Sequence, residues 1–214
     1  MGVHERRARE KEGIREEILE AARTLFVKEG YENVSIRKIA QKIEYSPGTI
    51  YLYFRDKADI LQHISDETFS RLERKLDAIN RDTAADPLHR LRRGLRVYVQ
   101  FGLDNPDHYL ITFMISTRET NGEETFRFTA GGRCFGELVK GVQTAMEAGM
   151  LEPGDVAEIS QALWAGVHGV TSLLITACGF LFVESNRLID RVAETLIRGI
   201  AKRSYTLRSN ERCS

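Results

Sequence analysis

The chain has 214 residues, 42% hydrophobic and 29% charged, with 31 basic and 31 acidic side chains and a formal net charge of zero. This composition excludes a disordered chain and leaves room for one domain, or two small ones, with a substantial core. The even balance removes the bulk-charge argument for nucleic acid: residues 1–60 carry 12 Lys/Arg against 11 Asp/Glu, so any electrostatic contact must come from local placement.

From the N-terminus, residues 1–13 have no apolar core of a secretory signal and lack the Ser/Thr of a myristoylation motif, so no export signal or lipid anchor is expected. Ile14, Ile18, Ala21, Ala22, Leu25 and Phe26 recur every three or four residues and predict a first helix over 14–29, closed by Gly30. Ser35 caps a short second helix carrying Ile36, Ile39, Ala40 and Ile43. Ser46 followed by Pro47 starts a third, running to about Tyr53, because proline at the first helical position gives up an N–H that the helix does not need. Asp56 caps a fourth, with Ile60, Leu61, Ile64, Leu72, Leu76 and Ile79 on one stripe to about Asn80. Pro87 opens a fifth helix that stops at Asp104-Asn105-Pro106, and Pro106 opens a sixth.

Residues 117–124 read as a loop. A seventh helix holds Phe135, Leu138, Val142 and Met146 and ends at Gly149; its start is the least defined, because Gly131-Gly132 is a poor helix interior. Asp155 caps an eighth, expected to reach about Phe182, and Ser185 a ninth with Leu188, Ile189, Val192, Leu196, Ile197 and Ile200. With no strand alternation the fold class is all-α, about nine helices. Ser160–Val183 contains no charged residue over 24 positions, a length that can span a bilayer. Its Gln161, His168, Thr171, Ser172 and Thr176 argue instead for a helix buried on several sides in a protein assembly, with no membrane contact. The basic residues from Arg198 to Arg212 read as a solvated end.

The second and third helices, with about three residues between them, form a helix-turn-helix. The run Ser35-Ile36-Arg37-Lys38-Ile39-Ala40, then Ser46-Pro47-Gly48-Thr49-Ile50-Tyr51, then Tyr53-Phe54, Lys57 and Leu61, resembles the DNA-binding domain of the tetracycline-repressor-like (TetR) family across residues 14–61. The resemblance implies a DNA-binding domain over residues 1–55 and a helical regulatory and dimerisation domain over 56–214. Ser46, Pro47, Gly48 and Thr49 then start the helix that enters the major groove, with Thr49 reading a base edge. Tyr51, Tyr53 and Lys57, with the start of the fourth helix, are suited to phosphate, and Ser35 and Arg37 form a second phosphate site. Glu44 departs from the family pattern: it stands in the turn where glycine is usual.

Ala162-Leu163-Trp164-Ala165-Gly166-Val167-His168-Gly169 is similar to the Trp…His-Gly signature of one TetR C-terminal subfamily. That implies a homodimer through helices eight and nine, with Gly166, Gly169 and Gly179 permitting close helix approach, and a small-molecule effector. Candidate ligand-lining residues are Tyr98, Phe101, Tyr109, Phe113, Met114, Trp164, His168 and Cys178, mostly apolar with a few polar groups. Cys134, Cys178 and Cys213 are too scattered for a disulfide scaffold or zinc site, and no catalytic, metal or cofactor motif is present. The expectation is a cytoplasmic, homodimeric repressor, not an enzyme, released from a palindromic operator by a largely apolar ligand. The alternative is a small-molecule or protein-interaction module without operator recognition, suggested by the near-neutral first domain and Glu44. A helical enzyme using the cavity is a further rival.

Overall fold

A computed structural model describes residues 3–114 and 128–202. Among them are nine α-helices: α1 (Val3–Glu29), α2 (Ile36–Lys42), α3 (Pro47–Tyr51), α4 (Lys57–Asn80), α5 (Pro87–Asp104), α6 (Pro106–Met114), α7 (Ala130–Glu147), α8 (Val156–Thr176) and α9 (Ser185–Ile200). The all-α reading holds, and no strand is found among the described residues; Leu151 and Ala201 form an isolated bridge. Through Lys202, whose N–H donates to the Met150 carbonyl at 3.0 Å, the chain after α9 is held in place. The expected loop at 117–124 lies outside the described residues.

Most helix starts follow local chemistry. Ser35 Oγ accepts from Lys38 N, Ser46 Oγ from Thr49 N, and Asp86 from His89 N ahead of Pro87. Asp155 accepts from the amides of Ala157 and Glu158. Each such cap supplies an acceptor for a helical N–H that has no partner within its helix. The start of α7 is explained by packing: a Cβ on Gly131 would lie 3.1 Å from the Phe69 ring, so glycine lets α7 approach α4 without displacing that ring. Thr129 caps that turn by accepting from Gly132 N at 3.0 Å.

Three boundaries differ from the periodicity reading. α1 begins at Val3 rather than Ile14, because Arg6–Glu10 (2.9 Å) and Arg15–Glu12 (3.5 Å) pairs support a polar first half that carries no apolar stripe. α8 stops at Thr176 rather than near Phe182: Ala177 leaves helical geometry and Gly179 takes φ +87°, which glycine adopts freely. The apolar composition of that run concealed the stop. α9 is capped by Glu184, not Ser185; its carboxylate accepts from the amides of Asn186 and Arg187, and those two bonds hold it below the usual carboxylate range.

The residues divide into two compact units. The first contains α1–α3, α4 through Thr68, and α6. Its core is apolar: Ile18, Ala22 and Phe26 of α1 meet Ile39, Ile50, Phe54, Ile60 and Ile64, with Ile111 of α6 added. Burying each large side chain of this kind contributes about 1.5–3 kcal/mol. The second unit contains α4 from Phe69, α5, and α7–α9. There α8 and α9 cross closely at Gly166, where a Cβ would lie 2.8 Å from Leu196 Cδ1. Gly169 and Gly179 have open space around them within the chain, so Gly166 alone of the three expected glycines meets a neighbouring helix.

Candidate nucleic-acid interface

α2 and α3 are joined by a turn in which Glu44 takes φ +60°. The turn therefore keeps the left-handed backbone that glycine usually supplies, at a cost of about 1–3 kcal/mol. Tyr45 N donates to the Ala40 carbonyl at 3.0 Å and closes the turn. α3 is short and anchored on one side by fully buried Ile50, so its other side is presented outward. Pro47 and Gly48 are exposed there, and a Cβ on Gly48 would meet only Ser46 Oγ, at 3.5 Å. A helix that projects nothing bulky at its start can approach the floor of a groove.

The polar candidates are partly engaged within the chain. Thr49 Oγ1 lies 3.0 Å from Ser46 Oγ, so its hydroxyl is already turned to the cap. Lys57 Nζ donates to the Tyr31 carbonyl at 2.7 Å and sits 4.0 Å from the centre of the Tyr31 ring. This tether fixes the ammonium and leaves two of its three donors for phosphate. Tyr51 is 58% exposed, while Tyr53 is half-buried with the Lys11 ammonium 6.0 Å from its ring. Arg37 is exposed at the start of α2, two residues after the Ser35 cap.

The start of α4 carries more negative charge than the sequence reading expected for a phosphate site. Asp56 Oδ1 accepts from Asp59 N at 2.8 Å, and Asp59 Oδ2 accepts from Arg55 N at 2.9 Å. Burial pushes the Asp59 carboxyl up, but the Arg55 hydrogen bonds outweigh it and hold the group below its ordinary range. The amides of Arg55 and Asp59 are thus already taken within the chain, and the donors left facing outward at this end are the Lys57 ammonium and the tyrosine hydroxyls. Sequence reasoning missed Tyr31, whose carbonyl and ring hold Lys57, and the exposure of Leu52, at 77%. A leucine between two motif tyrosines gives no polar signal to find it by.

In the second unit, three of the expected ligand residues come together. Trp164 Nε1 donates to Tyr98 Oη at 3.2 Å, and Tyr98 Oη lies 3.0 Å from His168 Nδ1. The Trp164 and His168 rings are 5.4 Å apart. Burial lowers the His168 pKa, so the neutral imidazole is favoured. Tyr98 and Trp164 also line a narrow cavity of about 40 Å³ with Leu76, Leu91, Leu138 and Val167. Its polar edge was not foreseen: Asn80 donates to Glu137 Oε2 at 2.7 Å, Arg90 Nη1 to the Asn80 carbonyl at 2.6 Å, and buried Arg90 Nε has no partner among the described residues.

The other candidates lie elsewhere. Phe101 is buried in α5. Tyr109 and Phe113, on α6, belong to the first unit, where their ring centres are 4.8 Å apart. Cys178 is exposed on the connector after α8, and the Met114 side chain lies outside the described residues. Buried Cys134 has its thiol pushed up to about 12, chiefly by burial, which keeps it an unreactive neutral thiol.

Comparison with known proteins matches residues 18–64 to the description "Bacterial regulatory proteins, tetR family" and residues 91–198 to "Tetracyclin repressor-like, C-terminal domain". An HTH-type transcriptional regulator of Staphylococcus aureus (strain bovine RF122 / ET3-1) is 31% identical over 42% of this chain and 49% of its own length. The match thus spans about half of that relative. The fatty acid metabolism regulator protein of Bacillus subtilis (strain 168) is 27% identical over 86% of this chain and 94% of its own. Among solved structures, the fatty acid degradation regulator FadR from Bacillus halodurans shares the fold with a TM-score of 0.69, at 20% identity, over 86% of this chain and 94% of that one.

Proposed function

The chain belongs to the TetR family of bacterial regulatory proteins and is a DNA-binding transcriptional regulator rather than an enzyme; from that premise we propose that it is a homodimeric repressor, released from a palindromic operator by a small, largely apolar ligand. One observation carries this reading. Nine large apolar side chains stand exposed among the described residues, and eight of them fall in two segments. Tyr45, Tyr51 and Leu52 flank or belong to α3; Trp164, Leu173, Phe180, Leu181 and Val183 belong to α8 and the connector behind it. Clustered exposed apolar surface marks interaction sites, whereas scattered single residues do not.

The first segment carries the DNA contact. Ser46, Pro47, Gly48 and Thr49 enter the groove, Tyr51, Tyr53 and Lys57 take phosphates beside it, and Ser35 and Arg37 take a second phosphate. The second segment carries the dimer contact, through α8 and α9. A two-fold dimer repeats the α3 contact, and the operator that matches it is palindromic.

The ligand reading rests on the cavity between α4, α5, α7 and α8. At about 40 Å³ it holds little more than water, against about 300–1,000 Å³ for ligand sites. A ligand must therefore displace its walls, Trp164 and Tyr98 first among them. Of the other candidates, His168, whose Nδ1 lies 3.0 Å from Tyr98 Oη, is placed to join them. α4 contributes residues to both units and is the element through which the change reaches the DNA-binding head. The ligand must bind the DNA-incompetent form more tightly, since equal affinity shifts nothing. That the similar protein of Bacillus subtilis is named for fatty acid metabolism accords with an apolar effector. No helix among the described residues is long and apolar enough to cross a membrane, and the proposed place of action is the cytoplasm, with the DNA.

The test is selection of bound duplexes from a random library by the full chain at two salt concentrations. An enriched palindrome, bound more weakly as salt rises with a slope of about −0.9 per phosphate contact, is the expected result. Failure to enrich any sequence at either salt would sink the repressor reading.

A further inference from the structure

We propose that Leu52 is a specificity-determining residue that reads thymine, packing on the C5-methyl group of one thymine in the major groove of each operator half-site. The proposal rests on the DNA-binding reading of α3 given above and names what that face selects.

Helix geometry comes first. Leu52 closes α3 with helical backbone angles, φ −74° and ψ −18°, so it continues the rise of the helix. It stands four residues after Gly48, a spacing that makes it Gly48's neighbour on one face of the helix, while Tyr51, three after Gly48, flanks Gly48 on the other side. Ile50 and Phe54, which anchor the segment, are buried in the core. Gly48 leaves that outer face without a side chain of its own. Whatever approaches α3 over Gly48 meets Leu52 next.

Chemistry then narrows the contact. Leucine has no donor or acceptor, so it cannot take a phosphate oxygen, unlike Tyr51 and Tyr53 on either side of it. Its side chain is 77% exposed and takes no part in the core cluster of its own unit. The hydroxyls at the start of α3 face each other, Ser46 to Thr49 at 3.0 Å, and the nearby ammonium of Lys57 is tethered to Tyr31. The apolar contact available at this end of the helix is therefore Leu52 itself. Among base edges in the major groove, thymine alone presents a methyl group. Covering it removes apolar surface from water on both sides.

The experiment uses the full chain and the duplex it selects. Each thymine of the selected duplex is replaced in turn by deoxyuridine, which removes the C5-methyl and leaves pairing and phosphates unchanged. At one thymine per half-site, wild-type affinity should fall about fourfold, and about fifteenfold with both half-sites replaced, by the transfer free energy of one buried methyl. Leu52→Ala should bind the thymine duplex more weakly by a similar factor, lose the distinction between thymine and deoxyuridine, and keep the wild-type salt dependence. Three results would overturn the proposal: wild type indifferent to every replacement, Leu52→Ala as sensitive to replacement as wild type, or a selected site with no thymine beneath α3. Weaker binding by Leu52→Ala with no methyl dependence would assign Leu52 to a wedge or backbone contact instead. Absence of any selected duplex would overturn the regulator reading itself and this proposal with it.

Discussion

The two units bury their interiors differently. In the head, the core joining α1 to α4 is an apolar cluster, and the polar groups of the candidate site stand outside it on capped helix starts; its buried polar groups are few, Thr68 Oγ1 lying 3.0 Å from His108 Nδ1 and Thr112 Oγ1 having no partner among the described residues. In the second unit, larger and charged polar groups run inside. Tyr98, Trp164 and His168 form a hydrogen-bonded trio, Asn80, Arg90 and Glu137 a second set, and Arg90 Nε is buried without a partner. An apolar core fixes one arrangement of what it displays. A polar interior beside a small cavity offers bonds that can be exchanged, because a buried unpaired donor already costs about 1–3 kcal/mol and a rearrangement that pairs it is favoured. The second unit thus holds the charged groups among those whose bonds a rearrangement could exchange.

The sharpest way to break this contrast is to open the head. Phe54→Ala should destabilise the first unit by about 3–5 kcal/mol, and DNA binding should fail while the second unit's trio keeps its tryptophan fluorescence. Calorimetry that shows both units melting together, at an equally lowered temperature, would contradict separate interiors. In the second unit the corresponding change is Gly166→Val, which drives a side chain into Leu196 and should cost about 1–3 kcal/mol. Thermal melts should show the loss, with the head's intrinsic affinity for DNA retained.

A finer probe is Ser46→Ala. It removes the acceptor for Thr49 N and the partner of the Thr49 hydroxyl, at about 1 kcal/mol. Chemical denaturation should show this small loss, and operator affinity should fall further than stability, because α3 loses its fixed start. Equal small losses in both would place the cap outside the interface.

The smallest effect is a pH slope. Burial holds the His168 pKa below its ordinary 6.5, so the unfolded chain binds more protons than the folded one just below that pH. Stability from this group is complete above about pH 6.5 and is lost as pH falls through that value, levelling off below the folded pKa. The melting temperature should decline between pH 7.5 and 5.5, and His168→Asn should flatten the decline. The carboxylates whose pKa values are lowered, Glu20, Glu29, Asp59 and Glu184, act below this window. An unchanged slope in His168→Asn would remove the imidazole from the account.

Much of this protein was legible in one dimension. Capping residues and apolar spacing are local properties, and they place Ser35, Ser46, Asp86 and Asp155 at helix starts without reference to any neighbour. The helix-turn-helix could be read in the same way because its residues lie close together in the chain, and Glu44 keeps the backbone the turn needs. Where signals were not local, sequence reading stopped short. The end of α8 was hidden, since an uncharged run looks alike in a helix and in an exposed connector. Gly131 looked like a poor helix residue until the Phe69 ring was found against it.

The ligand candidates divide for the same reason. Tyr98 and His168 are 70 residues apart and meet only because α5 and α8 pack together; Tyr109 and Phe113 share their apolar character but went to the first unit with α6. Sequence determined which segments are helical, where most of them begin and which family they serve, because backbone hydrogen bonding and capping act within a few residues. Only the tertiary structure decided which side chains share an interior and which apolar ones are left outside, because burial is a property of the whole packed unit.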